Sequence, residues 1–212
     1  MFLSLSTFSR IQMPQIQKTL IFATANHNKL VEAAKLIGDS FILQLPADLG
    51  YTNDVPETHE TIRENAIEKA QFIWDMFGKD CFADDTGLEV DALHGAPGVR
   101  SARYAGEPKN PVNNVKRLLN ELEGVPYEQR TARFRCVVAL FENGQLSTFE
   151  GICEGHISLE PCGELGFGYD PVFVPEGMEI TMAMLTIEEK NSISHRGIAM
   201  EKLVCHLLNH QK

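Results

Sequence analysis

The sequence predicts an α/β protein. Three observations lead there: apolar stretches that read alternately as strand and helix through the first part of the chain, glycine stops at Gly38 and Gly78, and a hairpin signal at Asn143-Gly144 that adds antiparallel strands. Residues 19–23 (TLIFA) read as a buried strand. A polar turn follows, then a helix over 29–37 with Leu30, Ala33, Ala34 and Ile37 on one face, stopped by Gly38. A second short strand at 41–45 precedes the longest helical pattern, 58–77, lined on one side by Ile62, Ala66, Ala70, Ile73 and Phe77 and ended by Gly78. Residues 81–83 predict a brief strand that stops at Asp84. Leu88, Val90 and Ala92, alternating with Glu89 and Asp91, predict a separate half-exposed strand.

Residues 94–111 read as a long Gly and Pro loop. Val112, Val115, Leu118, Leu119 and Leu122 then form a helix closed by Gly124. Strands over 131–141 and 146–153 meet at Asn143-Gly144, so the sheet is expected to be mixed. Thr186-Ile187-Glu188-Glu189 has the capping-box form, and Ser194 can cap a final helix carrying Ile198, Val204, Leu207 and Leu208. With no internal repeat or linker, 19–212 is expected to be one domain of two lobes.

Composition narrows the function classes. The 212 residues are 43% hydrophobic and 23% charged, ordinary globular usage that excludes disorder for most of the chain. Nineteen Lys and Arg against twenty-nine Asp and Glu leave a net charge of −10, so long nucleic acid or an anionic membrane would meet an opposing field. Any phosphate should be held in a local pocket. The five cysteines form no C-x-x-C pair and an odd number cannot all pair within the chain, which fits a reduced, cytoplasmic protein. No apolar run approaches the roughly 18 residues needed to cross a bilayer. Residues 1–18 are expected to be a disordered leader, with a transit peptide or a start at Met13 as alternatives.

Four constellations could carry chemistry. Thr24-Ala25-Asn26-His27-Asn28-Lys29 lies between the first strand and the first helix, where backbone N–H groups, a hydroxyl, an amide and an ammonium can all donate to phosphate oxygens. It lacks the P-loop glycines, and it equally suits an N-capping turn with a solvated lysine. Ala83-Asp84-Asp85-Thr86-Gly87 puts two adjacent acids at a strand end, suited to Mg²⁺ or to a metal ligand beside a proton acceptor, or else to a turn capping Gly87. Glu57 could add a third carboxylate or serve only the helix dipole.

Gly166-Phe167-Gly168-Tyr169-Asp170-Pro171 is a rigid turn that could present its aromatics to a nucleobase or tuck them into the core. Glu188 to Arg196 gathers Lys190, His195 and Arg196 at a helix start, three donors able to read a keto oxygen or a phosphate. Arg130, Arg133 and Arg135 around Phe134 read as a solvated or intersubunit strand face.

In order along the chain, T-A-N-x-x-K, A-D-D-T-G-L, G-A-P-G-V-R-S-A-R-Y-A-G, F-G-Y-D-P-V-F and E-E-K-N-S-I-S-H-R-G-x-A closely resemble the inosine triphosphate pyrophosphatase family over about residues 19–209. Ala25 stands where bacterial members usually carry glycine. The resemblance implies an elongated mixed α/β fold with a cleft between two lobes, a homodimer, and Mg²⁺-dependent cleavage of ITP, dITP or XTP to a monophosphate and pyrophosphate. It further implies that Thr24, Ala25, Asn26, His27, Asn28 and Lys29 cradle the triphosphate, that Glu57 and Asp85 hold the metal, and that Asp85 is the proton acceptor with Asp84 beside it. Thr86 matches a substrate contact. Phe167, Gly168, Tyr169 and Asp170 match the base platform, and Lys190, His195 and Arg196 match the donors to the six-position oxygen. A nucleotide sensor that binds without turnover is the rival reading, and it would be expected to lack the carboxylates.

Overall fold

The computed structural model describes residues 17–210. The expected leader lies mostly outside them, and the first strand already begins at Lys18. β1 (Lys18–Phe22) lies between β2 (Phe41–Gln44) and β3 (Cys81–Val90) and runs parallel to both. The crossovers are α1 (His27–Ile37) and α2 (Ile62–Phe77). Strand alternation sends Leu20 and Phe22 to the face covered by α1, and Ile21 and Ala23 to the face covered by α2. Both faces of the parallel part are therefore apolar, which explains why TLIFA reads as an unbroken buried run.

The sheet then turns antiparallel. The short β4 (Pro97–Gly98) pairs with β3, and after α3 (Pro111–Glu121) the long β5 (Thr131–Glu142) and β6 (Gln145–Ile157) form the hairpin, giving the order β2-β1-β3-β5-β6-β7 with β7 (Phe173–Pro175) at the edge. Asn143 and Gly144 take φ of 51° and 77°, as a two-residue turn with both positions left-handed requires. α4 (Ile187–Ile193) and α5 (His195–His210) end the chain, with the Thr186–Glu189 capping box formed and Ser194 Oγ accepting from Gly197 N at 3.0 Å. α5 joins α1 on one face. Its first turn comes so near β6 that a Cβ on Gly151 would stand 2.0 Å from the His195 carbonyl, so only glycine permits this approach. A second core, around Leu118, Phe134, Tyr169 and Phe173, fills the far half.

Several sequence expectations are corrected. The brief strand ending at Asp84 and the separate strand at Leu88 are one strand, paired without interruption from Cys81↔Phe141 to Val90↔Ala132. Cations from three helices neutralise the acids inside it, a tertiary effect that local propensity does not carry. The long helix starts at Ile62 rather than residue 58, because Thr61 caps Glu64 N while Thr58 bonds the Glu68 carboxylate from outside the helix. The loop over 94–111 contains β4. Arg130 is not solvated: it is buried and donates to the carbonyls of Leu122, Val125 and Ser158, closing the end of α3. Arg133 and Arg135 lie half-buried in ion pairs with Asp91, Glu154, Glu89 and Glu150.

Candidate active site

A cleft of about 930 Å³ opens along the end of β1 and the middle of β3, between the two cores. Every residue singled out in the sequence as a candidate ligand lines it, except His27, which is exposed on the first turn of α1.

At one end is the loop from β1 to α1. Asn26 is the N-cap, its Oδ1 accepting from the backbone of Asn28 and Lys29, and Thr24 Oγ1 accepts from Asn26 N at 3.1 Å. These bonds fix the loop. Lys29, one turn into the helix, reaches Asp84 Oδ1 at 3.0 Å.

The two acids of β3 part company, because consecutive strand residues point to opposite faces. Asp84 faces α1 and α5, where Lys29 and Arg196, the latter 3.0 Å from its Oδ2, surround it. Burial alone would raise its pKa, but Lys29, Arg196 and Lys69 outweigh burial and hold it well below the ordinary carboxylate range. Asp85 faces α2. Burial there pushes its carboxyl up despite Lys69 2.9 Å away. The same Lys69 Nζ lies 2.6 Å from Glu57 Oε1, so one ammonium bridges the two carboxylates. Burial opposes the charge on Lys69, yet Asp85 and Glu57 raise its pKa overall.

At the other end, Lys190 is buried between Glu32 Oε1 at 2.7 Å and Asp170 Oδ2 at 2.6 Å. Arg196 is also buried and spends three donors, on Asp84, on Glu32 Oε2 and on Thr86 Oγ1. Asp170 Oδ2 also accepts from Phe167 N, pinning the turn that holds Phe167, whose ring centroid is 4.6 Å from Lys190 Nζ and 5.6 Å from Arg196 Cζ. Gly168 takes a left-handed φ of 67° in that turn. Tyr169 is packed into the core with its hydroxyl donating to Ser101 O. His195 stacks on Phe134 at 4.6 Å and is buried in the cleft wall, its Nδ1 one of two buried side-chain polar atoms without a partner among the described residues. Burial, with Arg196 and Lys190 nearby, drives its pKa well below 6.5, so the imidazole is neutral.

Two of these groups escape a reading of motifs. Lys69 carries one visible signal, because it falls with Ile62, Asn65, Ala66 and Ile73 on the buried face of α2, where an unpaired lysine would be costly. Glu32 sits beside the apolar stripe of α1 and carries a weaker one.

Comparison with known proteins accords with this geometry. Residues 20–206 match the model of the Ham1 family. The chain is 46% identical over 190 residues to a dITP/XTP pyrophosphatase of Bacillus subtilis, covering 89% of this chain and 96% of that protein. It is 48% identical over 188 residues to one of Christiangramia forsetii, covering 89% and 98%. The solved structure of the Staphylococcus aureus Ham1 protein superposes with a TM-score of 0.83 at 38% identity, over 91% of this chain and all of that one.

Proposed function

The chain belongs to the Ham1 family, and on that footing we propose that its cleft hydrolyses non-standard purine nucleoside triphosphates, ITP, dITP and XTP, to the monophosphate and pyrophosphate. The observation that carries this is the single cleft holding a phosphate-type helix start, a cation-bridged carboxylate pair and a buried donor set in sequence.

Thr24 to Lys29 bind the triphosphate, where the start of α1 and the Lys29 ammonium favour anions. Lys69 adds a second ammonium in reach of the same chain of phosphates. Glu57 and Asp85 fit a hard divalent cation, since their oxygens already converge on one positive charge. We assign Mg²⁺ there, which would offset charge on the phosphate oxygens and on the departing pyrophosphate. Asp85 accepts the proton of the water that attacks the α-phosphorus. The bond from the α-phosphorus to the bridging oxygen breaks and pyrophosphate leaves. Asp84 stays ionised and holds Lys29 and Arg196 in position.

At the base end, Phe167 stacks on the purine, since Tyr169 is committed to the core. His195 in its Nδ1-protonated tautomer donates to the six-position oxygen, a partner that its buried Nδ1 otherwise lacks. Arg196 and Lys190, tied together through Glu32, bring only N–H donors to that wall, which disfavours the amino group of adenine. The protein acts as a homodimer in the cytoplasm: Leu159, Leu165 and Met184 supply exposed apolar surface, and all five cysteines are free. No helix of the described residues is long and apolar enough to cross a membrane.

The test is product analysis for a panel of nucleoside triphosphates, with Mg²⁺ and with chelator. Pyrophosphate from ITP, dITP and XTP, and little from ATP, is expected. Orthophosphate release, or binding without turnover, would overturn the assignment.

A further inference from the structure

We infer that Glu142, His206 and His210 form a second metal site, taking one Zn²⁺-class divalent ion that clamps the end of α5 to the end of β5. His206 and His210 are one helical turn apart, so both imidazoles leave the same face of α5. Glu142 meets them there: its Oε2 is 3.6 Å from His206 Nε2 and 3.2 Å from His210 Nδ1, and the three ligand atoms lie within 4.8 Å of one another. Two ligands each about 2.0–2.1 Å from a tetrahedral ion stand about 3.4 Å apart, so little movement is needed to close on one.

The surroundings prepare the carboxylate. Lys18 Nζ holds the other oxygen, Oε1, at 2.5 Å and is itself balanced by Asp80 at 2.7 Å, which leaves Oε2 to the histidines. Two imidazoles and one carboxylate suit zinc, nickel or copper rather than magnesium. The site is also remote from the cleft. Glu142 lies five residues along β5 from Val137, the register partner of Asp85, which is about 17 Å.

The experiment is titration of Zn²⁺ into the full chain in Mg²⁺ buffer, by calorimetry and by thermal unfolding, for the wild type, His206→Gln, His210→Gln, Cys205→Ser and Asp85→Asn. One Zn²⁺ per chain and an unfolding temperature raised by several degrees are expected in the wild type, Cys205→Ser and Asp85→Asn, because an ion that binds only the folded state stabilises it. Both effects should weaken at least tenfold in affinity in the two histidine variants. Should His206→Gln fail to fold, the exposed His210→Gln carries the comparison. Absence of binding, wild-type affinity in the histidine variants, loss in Cys205→Ser or Asp85→Asn, or a thiolate charge-transfer band when Co²⁺ replaces Zn²⁺ would each overturn the site.

Discussion

Asp84 and Asp85 are consecutive in the chain, yet their carboxylates stand on opposite faces of β3, the first neutralised by Lys29 and Arg196 and the second bridged to Glu57 by Lys69. The pair is therefore two functions sharing one strand. One acid anchors cations of α1 and α5, and in the proposed reaction the other meets the attacking water.

Substitution should separate them. Asp85→Asn keeps shape and is expected to lower kcat by about 10² to 10⁴, the range of general base catalysis, and to cost less unfolding free energy than Asp84→Asn because Glu57 still pairs with Lys69. Asp84→Asn strips a counter-charge from the buried Arg196 and the half-buried Lys29 and is expected to cost about 3–5 kcal/mol in denaturant unfolding. Equal effects of the two on stability would refute the division.

Lys69→Met leaves Glu57 and Asp85 facing each other without their shared cation. The stability loss should be smaller than the about 3–5 kcal/mol of a fully buried broken pair, because Glu57 is about one-third exposed. It should also be partly restored by millimolar Mg²⁺, read as a Mg²⁺-dependent unfolding temperature larger than in the wild type. A variant indifferent to Mg²⁺ would argue against cation binding between these carboxylates.

How much of this is legible in the sequence depends on how local each signal is. The hairpin, the Gly78 stop and the Thr186 capping box need only a few adjacent residues, and all are present in the structure. The unbroken β3 is not legible, since Asp84-Asp85-Thr86-Gly87 reads as a turn until cations distant in sequence are folded against it. β7 is three residues long and gives no periodicity. The motifs that line the cleft stand out by composition. Glu32, which ties Lys190 to Arg196 across more than 150 residues, has no signature beyond lying beside an apolar stripe.

Arg196 tests the base end. Its guanidinium fork joins Asp84, Glu32 and Thr86, a geometry an ammonium cannot reproduce. Arg196→Lys is expected to retain the fold while lowering kcat/KM for ITP at least tenfold and for ATP much less, narrowing their ratio. Steady-state kinetics on both nucleotides decide it. An equal loss for the two would assign Arg196 to phosphate binding or to the fold alone.

His195 gives a prediction in pH. Burial, Arg196 and Lys190 lower its folded pKa well below the 6.5 of the unfolded side chain. Below pH 6.5 the unfolded chain therefore takes up a proton that the folded chain refuses, so the contribution of His195 is complete above 6.5 and is lost as pH falls. Each pH unit below 6.5, down to the folded pKa, removes up to about 1.4 kcal/mol. Asp85 and Asp170, whose folded pKa values are raised, act in the opposite sense, so the wild-type curve alone does not isolate the imidazole. The difference between wild type and His195→Asn does. Urea unfolding at pH 7.5 and pH 5.5 should show the stability advantage of the wild type shrinking by about 1 kcal/mol at the lower pH. A pH-independent difference would mean that the ring protonates equally in both states, and with it would fall the neutral imidazole to which the reading of the six-position oxygen is assigned.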